Sequence, residues 1–267
     1  LPGPTMAQRI VRAKRTLADA RVPFELPPPH ELGERLGAVL EAVYLIFNEG
    51  YTATAGEDWM RPALVDEALR LGRMLAELAP GEPEAHGLVA LMELQASRMG
   101  ARVDAAGRPV LLLEQDRARW DGVLVRRGLA ALERAAQLGL PRGPYLLQAE
   151  IAACHARAHV ASSTDWQAIA ALYAELAQVQ PSPVVELNRA VAVGMADGPA
   201  PGLALADALV LDGKLAGYHW LPSVRADLLS KLGRFEEARQ EFERAAAMTA
   251  NGRERELLLE RARAQRS

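Results

Sequence analysis

The sequence predicts an all-α protein built as an array of antiparallel helix pairs. Half of its 267 residues are hydrophobic but only 5% are aromatic, and alanine and leucine, which favour helices, dominate over the typical strand formers. Apolar residues recur at helical spacing, and glycine or proline separates the segments. A helix pair near the C-terminus has weaker copies earlier in the chain, as expected of repeated units.

The chain opens with a basic segment that is expected to form an amphipathic helix. Thr5 follows a proline and is a typical N-cap residue. The apolar residues after it share one face, at Met6, Ile10, Ala13 and Leu17. Residues 1–21 carry a net charge of +4, whereas the whole chain carries −3, which leaves −7 for residues 22–267. This asymmetry is typical of a protein whose basic end meets nucleic acid.

Residues 22–32 are expected to form a linker. They contain Pro23, Pro27, Pro28 and Pro29. Consecutive prolines favour an extended, stiff chain through which no helix continues. We therefore divide the sequence into three parts: a basic helix over residues 1–21, a linker over 22–32 and a helical domain over 33–267.

Helical periodicity and its interruptions place the elements of the helical domain. The predicted helices cover residues 30–51, 59–78, 82–100, 116–138 and 144–160. Gly50 and the polar loop 52–58 end the first of them. Residues 102–114 combine Asp, Gly and Pro with an apolar run, which predicts a long ordered loop with a short hairpin around Ala106-Gly107. Residues 196–202 are expected to be irregular, and a charged helix over 253–265 closes the chain.

The best repeat lies in residues 232–245. Gly233 is expected to end one helix, Phe235 to begin the next, and Ala238 to lie where the two helices cross. Phe242 and Ala245 then pack inward. Residues 166–181 and 68–80 are weaker copies on the same frame. These units match the tetratricopeptide repeat (TPR) and predict a right-handed superhelical array, a degenerate TPR-like solenoid.

Three blocks carry a resemblance to a known family. Residues 5–17, TMAQRIVRAKRTL, resemble the recognition helix that closes region four of extracytoplasmic-function (ECF) sigma factors. The blocks YLIFNEGY, from Tyr44, and QDRARW, from Gln115, resemble the TPR-like C-terminal extension of one subgroup of these factors. The resemblance implies that this chain is the C-terminal part of a bacterial transcription-initiation factor with a helix-turn-helix, and that segments outside this sequence bind the RNA polymerase core.

The resemblance also implies which residues contact DNA and that the TPR-like domain modulates the activity of the factor. The basic helix would read the −35 element of promoter DNA through Thr5, Gln8, Arg9, Arg12, Lys14 and Arg15, with Lys14 and Arg15 on the DNA backbone. A solenoid groove is suited to a peptide or a partner helix, so an unknown protein or peptide is the expected partner of the TPR-like domain.

The two later blocks leave two interpretations open. In the first, they line a pocket, whose residues would be Tyr44, Asn48, Glu49, Tyr51, Gln115, Asp116, Arg117 and Trp120. In the second, which we favour, Asp116 caps a helix and an Asp116–Arg117 pair pins the loop 102–114 onto the solenoid.

No residue pattern indicates an enzyme, a metal site or a cofactor. His155 and His159 are four apart on a predicted helix beside Cys154, but a zinc site of that type needs a third ligand. We therefore expect surface histidines beside a buried cysteine. A TPR-like adaptor without DNA function and, less favoured, a metal-dependent hydrolase remain the alternatives.

The expected compartment is the cytoplasm. A single cysteine excludes an internal disulfide and suits a reducing environment. No apolar run approaches the about 20 residues that span a membrane, and no signal peptide opens the sequence, so no membrane partner is expected.

Overall fold

The computed structural model describes residues 15, 16, 19, 29–52, 60–105 and 107–265. It divides into two units, Leu1–Val39 and Leu40–Ser267. In the first unit, Arg15, Thr16 and Asp19 are helical, and Nε of Arg15 lies 3.8 Å from a carboxylate oxygen of Asp19 in an exposed ion pair. The other predicted DNA-reading residues, Thr5, Gln8, Arg9, Arg12 and Lys14, lie outside the described residues.

The described residues form α-helices and short 3-10 turns. Beyond the helical residues near Arg15, eleven α-helices have described bounds: α1 Pro29–Tyr51, α2 Pro62–Leu78, α3 Pro83–Ala96, α4 Gly122–Gln137, α5 Pro144–Arg157, α6 Trp166–Val179, α7 Pro183–Ala196, α8 Pro199–Asp212, α9 Trp220–Lys231, α10 Phe235–Met248 and α11 Gly252–Ala264. The described residues form no β-strand, so the all-α prediction is confirmed. Helix α1 begins at Pro29, inside the segment expected to be linker, and ends one residue beyond Gly50.

From α2 to α11, each helix packs against the next one in the sequence. Two further contacts, α3 with α5 and α7 with α9, join helices that are separated by one other helix in the sequence. Neighbour-to-neighbour packing of this kind buries the apolar stripe of each helix without long-range strand pairing. The predicted helical-repeat array is therefore confirmed. Among the described helices, none has the length and apolar character needed to cross a membrane.

Glycines permit the closest helix crossings. A Cβ atom on Gly202 of α8 would lie 2.7 Å from the carbonyl oxygen of Ala190 and 2.7 Å from Cα of Gly194, both in α7. A Cβ atom on Gly87 of α3 would lie 2.7 Å from the backbone nitrogen of Leu146 at the start of α5. No side chain fits in these gaps, so these helix pairs pack backbone against backbone.

The C-terminal repeat has the predicted form. Helix α9 ends next to Gly233, whose φ of +74° is readily adopted only by glycine. Phe235 begins α10. Ala238, Phe242 and Ala245 of α10 are fully buried, as the repeat frame predicts.

Several boundaries differ from the prediction: α2 begins at Pro62 rather than at residue 59, and α3 and α5 end at Ala96 and Arg157 rather than at residues 100 and 160. Two further helices begin elsewhere because a nearby residue provides the stronger helix start. Helix α4 begins at Gly122 rather than at residue 116, because the carboxylate of Asp121 accepts hydrogen bonds from the backbone N–H groups of Val123 and Leu124, at 2.7 and 3.1 Å. The expected irregular stretch 196–202 is shorter than predicted, since only Asp197 and Gly198 separate α7 from α8, which begins at Pro199. Proline is well suited to the first turn of a helix, where its missing N–H is not needed.

The loop 102–114 is ordered and turns back on itself. Val103 and Pro109 form an antiparallel β-bridge, and Gly107 at the turn has a φ of +74°. The predicted hairpin is thus confirmed as a single bridge, although Ala106 lies outside the described residues. The loop continues into a 3-10 turn, Leu112–Glu114. Arg253 of α11 donates a hydrogen bond to the carbonyl oxygen of Gly107, so the loop reaches from the end of α3 to the last helix.

Candidate functional site

Three arginines gather around two aromatic rings near the end of α3. Residues Tyr51, Arg98, Arg102, Arg117 and Trp120 form what we call the arginine–aromatic cluster. The guanidinium carbon of Arg102 lies 3.7 Å from the centre of the Tyr51 ring. Those of Arg98 and Arg117 lie 5.8 and 5.1 Å from the Trp120 ring. Cation–π contacts at these distances stabilise the cations by about 0.5–2 kcal/mol each.

Hydrogen bonds fix the cluster in place. Arg98 donates to the hydroxyl of Tyr51 at 2.9 Å, and Arg102 donates to the hydroxyl of Thr52 at 3.0 Å and to the carbonyl oxygen of Tyr51. These bonds join the end of α1 to the end of α3. Within the described chain, no ion pair links Arg98 to a carboxylate.

Arg117 anchors the residues after the loop on the end of α5. Its guanidinium donates to the carbonyl oxygens of His155 and Ala158, the latter at 2.7 Å, and to the hydroxyl of Thr164 at 2.9 Å. The last carbonyls of a helix lack partners inside the helix and carry partial negative charge, so a cation is stabilised there. Arg117 therefore serves as a tertiary cap on α5.

A cavity of about 280 Å³ opens beside the cluster, and we refer to it as the polar cavity. Helices α1, α3, α5, α6 and α7 contribute to its wall, which is mostly neutral and polar. Its polar lining residues are Tyr44, Gln95, Arg98, Gln148, His155, Tyr173 and Asn188. Burial raises the pKa of Tyr44, and it raises the pKa of Tyr173 to about 12. Both phenols are therefore neutral hydrogen-bond donors at neutral pH.

A second cavity, of about 430 Å³, is lined mainly by apolar side chains from the loop and from α6, α7 and α9. We call it the apolar groove. Trp220 of α9 and Leu113 of the loop line it and are 44% and 41% exposed. Leu112 lines both this groove and the polar cavity. The loop 102–114 thus forms a common wall between the two.

The expected cap at Asp116 forms on a 3-10 turn rather than on an α-helix, and the expected ion pair with Arg117 does not form among the described residues. The carboxylate of Asp116 accepts a hydrogen bond from the backbone N–H of Ala118 at 3.0 Å, so it caps the 3-10 turn Arg117–Arg119 rather than a helix. Arg117 turns to the end of α5 instead of pairing with Asp116. The neighbouring Gln115 is buried and donates to the carbonyl oxygen of Val110 at 3.2 Å, which holds the loop.

The structure brings together only part of the set predicted to line a pocket. Tyr44 lines the polar cavity, while Tyr51, Arg117 and Trp120 belong to the cluster. Asn48 interacts with the Tyr44 hydroxyl. Glu49 does not line the polar cavity. Its carboxylate forms an ion pair with Arg61, 2.9 Å away. Sequence reasoning missed Arg98 and Arg102, although their spacing of four residues is the one signal that places them near each other.

The histidine prediction needs correction. His155 is buried, with 9% of its surface exposed, and its ring packs edge-on against Trp166 with centres 5.2 Å apart. Cys154 is only half-buried. His159 lies beyond the end of α5 and is exposed. The structure brings no group of three possible metal ligands together among its described residues.

Acid is expected to destabilise the protein through His155. Burial, with smaller contributions from the positive charges of Arg98 and Arg117, lowers the pKa of His155 from 6.5 to about 4. Between these values the unfolded chain binds a proton that the folded chain does not, so the free energy of unfolding decreases as the pH falls. The loss approaches about 3 kcal/mol at the acid end of this window.

Urea unfolding at about pH 7 and about pH 4.5 measures this effect. A His155→Gln variant is expected to lose most of the difference between the two conditions, whereas His159→Gln, which alters an exposed histidine, is expected to keep it. An unchanged pH dependence in His155→Gln would contradict the assignment.

Comparison with known proteins places the cluster inside a recognised sequence segment. Residues 35–136 match a family of unknown function, DUF6596, and this segment contains the whole arginine–aromatic cluster. The chain is also similar to an uncharacterized protein of Rhizobium meliloti (strain 1021), with 48% identity over 249 residues. The match covers 93% of this chain and 58% of that relative. No solved structure matches the chain.

Proposed function

We propose that this chain is the C-terminal part of a bacterial ECF sigma factor. It joins the helix that reads the −35 promoter element to a TPR-like domain that regulates transcription initiation through a protein partner. In the complete protein, segments outside this sequence bind the RNA polymerase core. The chain acts in the cytoplasm, catalyses no reaction of its own and needs no cofactor.

The observation that carries this proposal is the likeness of residues 5–17 to a sigma recognition helix, in a chain whose described residues from 60 onward form an array of α-helices. The opposite charges of residues 1–21 and 22–267 support it, since the basic part suits DNA and the acidic part does not. Arg15 is helical, and its side chain is 83% exposed. Its exposed pair with Asp19 contributes little stability and does not prevent a phosphate contact.

The apolar groove supports a role in protein interaction. Solvent-exposed tryptophan and leucine side chains that line one groove are typical of a docking surface for the apolar face of a partner. Trp220 and Leu113 are such residues. Ion pairs and cations at the rim, such as Arg261 with Asp227 and the nearby Lys231, add polar groups around the apolar centre, as is usual in protein interfaces.

Replacing Arg9, Arg12 and Arg15 together with alanine in the complete protein is expected to lower promoter-specific transcription by about tenfold or more. Each lost contact to a base costs about 1–3 kcal/mol, and each lost phosphate contact weakens binding further. The measurement is in vitro transcription with core polymerase on a promoter that the unchanged protein transcribes, together with binding to the same promoter fragment.

The matched control replaces three exposed arginines of the helical array, Arg126, Arg157 and Arg263. This variant removes the same total charge and is expected to transcribe normally. Equal activity of the two variants would reject the DNA-reading role and favour a TPR-like adaptor without DNA function.

A further inference from the structure

The polar cavity contains one charged side chain and several neutral hydrogen-bonding groups. Arg98 is the cation, and no carboxylate stands among the described lining residues. The amides of Gln95, Gln148 and Asn188 and the phenols of Tyr44 and Tyr173 can donate hydrogen bonds. Apolar side chains from α3, α5 and the loop, namely Leu91, Ile151, Ala152 and Leu112, complete the wall. A cavity of this composition suits a molecule with one polar, negative end and an apolar body.

The charge of Arg98 is not balanced by any described residue. Its hydrogen bond goes to the neutral Tyr51 hydroxyl, and its guanidinium lies beside aromatic rings. Arg117, also without an ion pair in the described chain, lies 5.1 Å from the centre of the same Trp120 ring. Positive charges therefore accumulate in a partly buried place, where their mutual repulsion is only weakly screened.

A buried polar atom at the same cavity also lacks a partner. His155 lines the cavity, and its Nδ1 atom forms no hydrogen bond to any described residue. Buried polar groups of proteins are nearly always paired, so a cavity-lining residue with an unpaired polar atom marks a place where the packing leaves hydrogen-bonding capacity unused. Together with the unbalanced cation, this atom makes the cavity a candidate binding site rather than a packing defect.

We propose that the polar cavity binds a small organic carboxylate, with Arg98 as its counterion. A guanidinium matches the two oxygens of a carboxylate with parallel hydrogen bonds. The single cation in the wall favours one negative charge over the two of a phosphate. The volume of about 280 Å³ lies just below the usual range of drug-sized sites, so the body of the ligand is short. This inference concerns binding alone and does not depend on the proposed role in transcription.

Calorimetric titration of the full chain with acetate, isobutyrate and benzoate tests the proposal. At least one of the three is expected to bind saturably with a stoichiometry of one. For that acid, the neutral amide of the same shape (for example benzamide for benzoate) is expected to bind about tenfold more weakly or worse, because a hydrogen bond to a charged partner is lost. Inorganic phosphate is expected to bind more weakly than the best carboxylate. No saturable binding by any carboxylate, or equal binding of acid and amide, would overturn the proposal.

Variants assign the binding to this cavity. Arg98→Met is expected to weaken the best carboxylate at least about tenfold, whereas Arg70→Met, at an exposed arginine of α2, is expected to leave the affinity unchanged. Because Arg98→Met also removes the bond to Tyr51, Ala152→Leu provides a second test: it fills the cavity from α5 and keeps the arginine. Unchanged affinity in either cavity variant would place the binding elsewhere and reject the site.

Discussion

Replacing Arg73 with alanine is expected to lower the free energy of unfolding by about 3–5 kcal/mol, because it leaves a buried carboxylate without its counterion. Glu93 of α3 is only 1% exposed. Nε and Nη2 of Arg73, in α2, each lie 2.7 Å from its Oε1 atom, and its Oε2 atom has no hydrogen-bond partner among the described residues.

Urea unfolding of the full chain, followed by circular dichroism, measures this loss. The matched control is Arg70→Ala, one turn earlier on the same helix, where Arg70 pairs with the exposed Glu67 at 2.6 Å. Exposed pairs contribute little, so the control is expected to leave the unfolding midpoint nearly unchanged. Similar losses in the two variants would show that burial of Glu93 does not decide the effect.

Replacing Phe242 with alanine is expected to cost about 3–5 kcal/mol of unfolding free energy, because it creates a cavity that its neighbours cannot fill. Phe242 is fully buried in a cluster with Ala226 of α9 and Leu258 of α11, and most of its other buried neighbours are alanines. The guanidinium carbon of Arg261 lies 4.5 Å from the centre of its ring. The variant therefore loses both apolar burial and a cation–π contact.

Phe235→Ala is the control for this variant, because it removes the same side chain from the same helix at a position that is 37% exposed. Its loss is expected to be clearly smaller in the same unfolding measurement. If Phe235→Ala lowered the free energy of unfolding as much as Phe242→Ala, the expectation that the buried ring contributes more stability than the partly exposed one would be wrong.

The burial of Phe242 was predictable from the sequence. In α10, Ala238, Phe242 and Ala245 recur at helical spacing, and Gly233 marks the turn before the helix. Signals of this kind lie within a dozen residues of one another, so local chain geometry alone determines which face is apolar. For the same reason the sequence predicts the all-α class and most of the helices.

Helix boundaries were less predictable because two residues can compete for one role. Asp116 and Asp121 are both good N-cap residues, and the sequence does not show which of them precedes a regular helix. Packing decides it: the backbone N–H of Asp121 donates to the carbonyl oxygen of Ser97 at 2.8 Å, which fixes the chain at that point and lets α4 begin at Gly122.

Part of the candidate site was predictable from the sequence, and the rest depends on the tertiary structure. The sequence by itself pointed to Tyr51, Arg117 and Trp120, through a resemblance, and to an ordered loop at residues 102–114. Only the tertiary structure decided that these residues meet Arg98 beside a cavity and that His155 is buried there. The loop itself is held by Arg253, which is 146 residues away from Gly107 in the sequence. Contacts over such distances depend on how successive helices stack. A local pattern of residue types does not predict that geometry.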